Sequence, residues 1–138
     1  DLYALFYEQG NNIIKDNGLL CFITGSAWMR ANYGLALRSY FNTKTTPIGL
    51  IDLSDCDVFD SATVLTNIML FQKGKLELPT KSLRLTRKDQ DKLKNLGNYF
   101  DLNYTEINAF PNTAWAIFHL DSEDFLFAPD VYPESLYS

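Results

Sequence analysis

Apolar and polar positions follow two different periods along the chain. Over residues 1–15, Leu2, Leu5, Phe6 and Ile13 fall near one stripe, with Tyr3, Tyr7 and Ile14 beside them. That spacing predicts a helix, with Lys15 in its last turn and Gly18 as its stop. Leu19-Leu20-Cys21-Phe22-Ile23 is a continuous apolar run, the pattern of a strand covered on both faces. Gly25-Ser26 breaks it, and Ser26 suits the cap of a helix over residues 27–41, interrupted at Asn32 to Gly34. Pro47 closes a loop before a second buried run, Ile48 to Leu53.

A strand, a helix and a strand in this order make a parallel unit. Ser54 to Asp57 is then a polar loop, and Val58-Phe59 followed by Thr63 to Gln72 reads as a further strand ending at Lys73-Gly74. The link from Leu53 is too short and polar for a crossover helix, so this strand is expected antiparallel to its predecessor. Beyond Gly74 the pattern weakens. Thr86 to Leu96 suggests a helix, capped by Thr86 and ended by Gly97, and Ala114 to Phe118 a short strand. There is no internal repeat.

Composition narrows the class. With 138 residues, 46% hydrophobic and 21% charged, the chain fits one globular domain, not a disordered segment. No apolar run is long enough to span a bilayer, and no basic-then-apolar signal opens the chain, so no membrane partner is expected and the location is read as cytoplasmic. The first residue is Asp1, which suggests a piece of a longer protein. Cys21 and Cys56 allow at most one disulfide; Cys21, inside an apolar run, is expected as a buried reduced thiol.

The net charge of −5 is unevenly spread. Residues 73–94 hold eight basic side chains against Glu77, Asp89 and Asp91, and residues 101–138 hold acids with no lysine or arginine. The basic block can track a phosphate backbone or serve as a solvated connector.

Several chemistries are missing from the sequence. His119 is the one histidine, so no histidine metal cluster can form, and a structural role is expected for it. No Cys-x-x-Cys pair and no phosphate-cradling glycine loop occurs. The acids Asp52, Asp55, Asp57 and Asp60 lack the ligand ladder of a calcium loop and read as a solvated loop at a strand end.

Gly18 to Thr24, Ser26-Ala27-Trp28-Met29-Arg30-Ala31-Asn32-Tyr33-Gly34, Leu37-Arg38, Ile51-Asp52-Leu53 and Val58 to Lys73 together resemble the adenine-specific DNA methyltransferases of type IIG restriction–modification proteins. The likeness covers residues 1–74 and continues more loosely through Trp115-Ala116-Ile117. It implies an α/β fold: the second half of a Rossmann-like methyltransferase sheet, in the order helix, strand, helix, strand, antiparallel strand, over residues 1–74. A basic connector and acidic tail would follow over 75–138, leading toward a target-recognition region.

The family's glycine-rich cofactor loop and its Asn-Pro-Pro-Tyr catalytic motif do not occur in this chain. Ser26-Ala27 also replaces the Asn-Lys common in relatives. The resemblance therefore implies S-adenosylmethionine and double-stranded DNA for an intact parent, with no catalytic residue, cofactor or metal site in this segment. Its expected partners are the remainder of the methyltransferase core and, for the fragment alone, a second copy of itself.

One site residue carries over. Phe59 matches the aromatic that stacks on the extruded adenine, a role any flat apolar ring can fill. Packing beneath the reversed strand is the other reading of Phe59. Trp28 reads as a core aromatic. Arg30, Lys73 and Lys75 are candidate DNA contacts, and solvent-exposed charge is equally expected of them. The rival reading is a non-catalytic module built on half a methyltransferase fold, binding DNA or a protein through residues 73–94; a third is an inactive gene remnant.

Overall fold

Helix α1 (Leu2–Ile13) lies against strand β1 (Leu19–Gly25), and from there the chain builds one five-stranded sheet. The computed structural model describes residues 2–59 and 64–117. Asp60, His119 and the rest of the acidic tail from residue 118 on lie outside them. After β1 come two single-turn 3-10 segments (Ala27–Met29 and Asn32–Gly34), helix α2 (Leu35–Lys44) and strand β2 (Thr45–Asp52). Strand β3 (Thr66–Lys73) follows, then β4 (Thr80–Arg84), a 3-10 stretch (Arg87–Asn95), helix α3 (Leu96–Asn103) and β5 (Thr105–Ile107).

The sheet order is β1-β3-β2-β4-β5. β3 runs antiparallel to both β1 and β2, and β4 runs parallel to β2. The parallel unit β1-α2-β2 therefore forms as expected in direction, but the reversed strand is inserted between its two strands. β3 is long enough to pair with both: Leu19 to Gly25 face Gln72 to Thr66 on one side, while Thr45 to Asp52 run along Lys73 to Asn67 on the other. The sheet also continues past Gly74, because β4 and β5 extend it beyond β2.

One sheet face carries the larger core. Tyr7, Trp28, Met29, Leu37, Phe41, Leu50, Met69, Phe71, Trp115 and Ile117 form it, beneath α1, α2 and residues 110–117. Its aromatics meet edge to face, with Tyr7 and Phe41 ring centres 5.0 Å apart and Trp28 and Trp115 5.3 Å apart. On the opposite face, Leu53, Cys56, Leu83 and Leu85 pack with Val58, Leu93, Leu96 and Tyr99.

Several expectations are corrected. The inward stripe of α1 is the half-buried Tyr3 and Ala4 with the buried Tyr7, Gly10 and Asn11, while Leu2, Leu5, Phe6 and Ile13 face outward. β1 is covered on one face only: Leu20 and Phe22 pack against α1, whereas Leu19, Cys21 and Ile23 are exposed. Cys21 is thus a free but exposed thiol. Pro47 sits inside β2 at a register irregularity, where a missing N–H is tolerated. Ser26 gives no side-chain cap. Gly97 lies within α3 instead of ending a helix, and Ala114 to Ile117 form no strand.

The break between β1 and α2 has a physical cause. Ala31 is extended (ψ 150°), which interrupts the helix between the Trp28 carbonyl and the Ala31 carbonyl, the latter accepting from the Gly34 N–H at 3.0 Å. The buried Arg38 guanidinium donates to both, at 2.6 and 2.7 Å. Gly34 completes the turn, since a Cβ there would lie 2.1 Å from the Trp28 carbonyl oxygen.

Candidate functional site

Strands β1, β2 and β4 point the same way, so their carboxyl ends share one edge of the sheet with the start of β3. In open α/β sheets that edge is where ligands bind. Two backbone bonds knit it: the Ser26 N–H donates to Leu65 (2.9 Å) and the Leu53 N–H to Thr66 (2.9 Å).

Asp52, the last residue of β2, is 1% exposed and joins the strand ends. Its Oδ1 accepts from the backbone N–H of Ser54 (3.0 Å) and from the Ser54 hydroxyl. Its Oδ2 takes the Arg30 guanidinium at 2.5 Å, and Ser54 Oγ lies 2.8 Å from Ser26 Oγ. These donors replace the water that the buried carboxylate has lost. Beside it, Asn67 Oδ1 accepts from Trp28 Nε1 (3.2 Å) and Thr24 Oγ1 (3.3 Å). The oxygens of this network are satisfied beneath the loops, while Asn67 Nδ2 is buried without a partner among the described residues.

Phe59 lies in the loop that leaves this edge. Its neighbour Val58 turns inward onto Leu53, Cys56, Leu83 and Leu85, which directs Phe59 outward, where it is 47% exposed. Val64 and Leu65, also exposed, stand on the far side of the same loop. Phe59 is therefore an exposed ring and not a core ring.

The acids of this loop meet arginines. Asp55 pairs with Arg84 (3.0 Å), Asp57 with Arg87 (3.7 Å) and Asp52 with Arg30. Part of the basic block thus faces the loop of its own chain. Among the described residues, no group of three or more histidine, cysteine, aspartate or glutamate side chains is arranged to hold a metal. Cys56 is buried, and burial, reinforced by the negative charge of Asp55, Asp89, Asp52 and Asp57, pushes its thiol up to about 11. That is the environment of an inert cysteine and not of a nucleophile.

The three candidate DNA contacts are not brought together. Arg30 stands at the carboxyl edge near the Phe59 loop, its side chain 40% exposed even while it pairs with Asp52. Lys73 ends β3 at the opposite edge, about 24 Å away along the strand. There its ammonium donates to the carbonyls of Ile14 (2.9 Å) and Asn12 (3.4 Å). Lys75 follows at that same far edge, exposed. A polar cleft of about 610 Å³ lies there as well, between Glu8, Asn11, Asp16, Tyr40, Lys44 and Lys73. Sequence reasoning put Asp52 in the buried run Ile48 to Leu53 but read its side chain as part of a solvated acidic cluster, and gave Ser54 only a place in a polar loop. The available signal was their position at the end of a buried strand.

Comparison with known proteins agrees with this geometry. Residues 1–59 match the model of the Eco57I restriction-modification methylase family. No curated protein matches the chain. Among solved structures, one from Listeria monocytogenes described as a class I S-adenosylmethionine-dependent methyltransferase superposes with a TM-score of 0.53 at 19% identity. The match covers 72% of this chain and 32% of that one, so the chain spans about a third of that relative's length. The mixed α/β sheet has the fold of a class I S-adenosylmethionine-dependent methyltransferase. Both likenesses are to methyltransferases.

Proposed function

We propose that the chain is the C-terminal part of the core of a DNA adenine methyltransferase from a type IIG restriction–modification protein. The intact enzyme transfers the methyl group of S-adenosylmethionine to the adenine amino group in double-stranded DNA. The observation that carries this reading is the reversed β3 between parallel β1 and β2, on a chain whose first 59 residues match a restriction-modification methylase.

The segment's own residues do not fit the cofactor. Both oxygens of Asp52 are engaged by Ser54 and Arg30, and the residue is 1% exposed, which keeps the carboxylate out of reach of a ribose hydroxyl. The polar cleft lies at the opposite edge from the Phe59 loop. No step is therefore assigned here through S-adenosylmethionine, and this segment alone is expected to be inactive. What it contributes is one wall for the extruded base. Phe59 offers a flat ring, exposed at the ligand-binding edge, on which the adenine stacks outside the duplex.

The test is Phe59→Ala in an intact methyltransferase carrying this segment, using a duplex with 2-aminopurine at the target position. Base–aromatic stacking is worth roughly 1–3 kcal/mol, so capture and methylation should fall about 10- to 100-fold. Thermal stability should stay unchanged, and Phe59→Tyr should retain most activity. Undiminished capture, or a loss wholly accounted for by unfolding, refutes the stacking role. Reading the gene upstream of the Asp1 codon provides a second check: a glycine-rich loop and an Asn-Pro-Pro-Tyr motif there are the expected outcome.

A further inference from the structure

Two residues before Phe59, the backbone of Asp57 is held by a single side chain from beyond β4. The Asp57 N–H donates to Gln90 Oε1 at 2.9 Å, and Gln90 Nε2 donates to the Asp57 carbonyl at 2.7 Å. The amide thus copies the reciprocal pair of bonds that two strands exchange in an antiparallel sheet. Around it, Arg84 pairs with Asp55, Arg87 with Asp57, and the Cys56 thiol lies 3.8 and 3.6 Å from the Leu85 and Thr86 carbonyls. Val58 is anchored in the core beneath. Gln90 itself is set by the turn that starts at Thr86, whose N–H and hydroxyl both reach Asp89 Oδ2, at 3.0 and 3.1 Å.

We infer that Gln90 is a positioning residue for the Phe59 wall, its side-chain amide clamping the Asp57 backbone so that the segment after β4 buttresses the base-facing loop. The inference rests on the reading of Phe59 as a stacking wall. The geometry explains why the clamp is a neutral amide. Asp57 and Phe59 lie in an exposed loop, where salt screens the Arg84 and Arg87 ion pairs, whereas a two-bond amide contact persists. It also links the stretch beyond β4 to the base pocket, so displacement of residues 87–95 moves Phe59.

The test uses the 138-residue chain, comparing Gln90→Ala and the near-isosteric Gln90→Met by NMR. Exchange of the Asp57 amide is expected to accelerate on the order of tenfold in both variants. The Phe59 ring resonances should shift and broaden, while Leu50 and Met69 amides and the melting temperature stay unchanged. In the unmodified chain, Asp57 protection should survive about 1 M salt. Unmoved Asp57 exchange and Phe59 signals in Gln90→Met, or protection abolished by salt alone, would overturn the inference. These readouts do not depend on methylation. A failed clamp is thus distinguishable from a failed base-stacking role, which only the Phe59→Ala enzyme reports.

Discussion

Tyr7 is fully buried, and its hydroxyl lies 2.9 Å from Thr24 Oγ1, in a chain of bonds that continues to Asn67 and Trp28. Burial pushes its phenol up to about 12, although bonds to Thr24 and Asn67 pull the other way. Unfolded tyrosine releases its proton near pH 10, so the folded state binds the proton more tightly. Stability is therefore unaffected by this group below about pH 10 and falls between about pH 10 and 12, by about 1.4 kcal/mol per pH unit. Tyr3, also pushed up to about 12 mainly by burial, steepens the same window. Tyr7→Phe should reduce the alkaline slope in chemical denaturation by one proton's worth. At neutral pH it should cost about 1 kcal/mol for the lost Thr24 bond.

At the scale of elements, β1 is the least protected strand. It forms the edge of the sheet among the described residues, and Leu19–Gly25 contains no charge and no proline. Leu19 and Ile23 are about half exposed on its open face, and α1 on the other face carries the exposed Leu2, Leu5 and Phe6. Such an edge invites pairing with another chain. The isolated chain should therefore self-associate at high concentration, and Ile23→Lys should shift sedimentation toward monomer without altering the circular dichroism of the fold. A clean monomer before mutation would count against this. The same strand shows how far the sequence could be read. Five consecutive apolar residues marked β1 correctly as a strand, but a run of that kind cannot say whether both faces are covered. Likewise the short polar link after Leu53 revealed that β3 is reversed. Its insertion between β1 and β2 depends on pairing across the whole chain, which local periodicity does not encode. β4 was missed because Lys81 and Arg84 interrupt a short run in a charged region. At the candidate site, the resemblance singled out Phe59, and its exposure there came from the structure. Gln90 was not legible, since a glutamine in a polar stretch carries no local sign of its backbone partner.

For the molecule as a whole, the last described residues are part of the core. Trp115 is fully buried, its backbone N–H donates to the Met29 carbonyl at 2.7 Å, and its indole N–H donates to Pro111 at 2.9 Å. Phe110 stacks on it with ring centres 4.2 Å apart. Residues 110–117 thus close over the turns that follow β1. Trp115→Ala should lower stability by about 3–5 kcal/mol and the melting temperature by roughly 10 °C. An unshifted thermal transition would show that these residues act only as a connector.

The two tryptophans of the sequence are also each other's neighbours, with indole planes at 75°. Their electronic transitions must therefore couple when, and only when, the start of the connection from β1 to β2 and the distant residues 110–117 meet. The near-ultraviolet dichroism of this protein becomes a built-in optical gauge of that closure. It needs no label, and it reports on the joining of two segments that lie far apart in sequence.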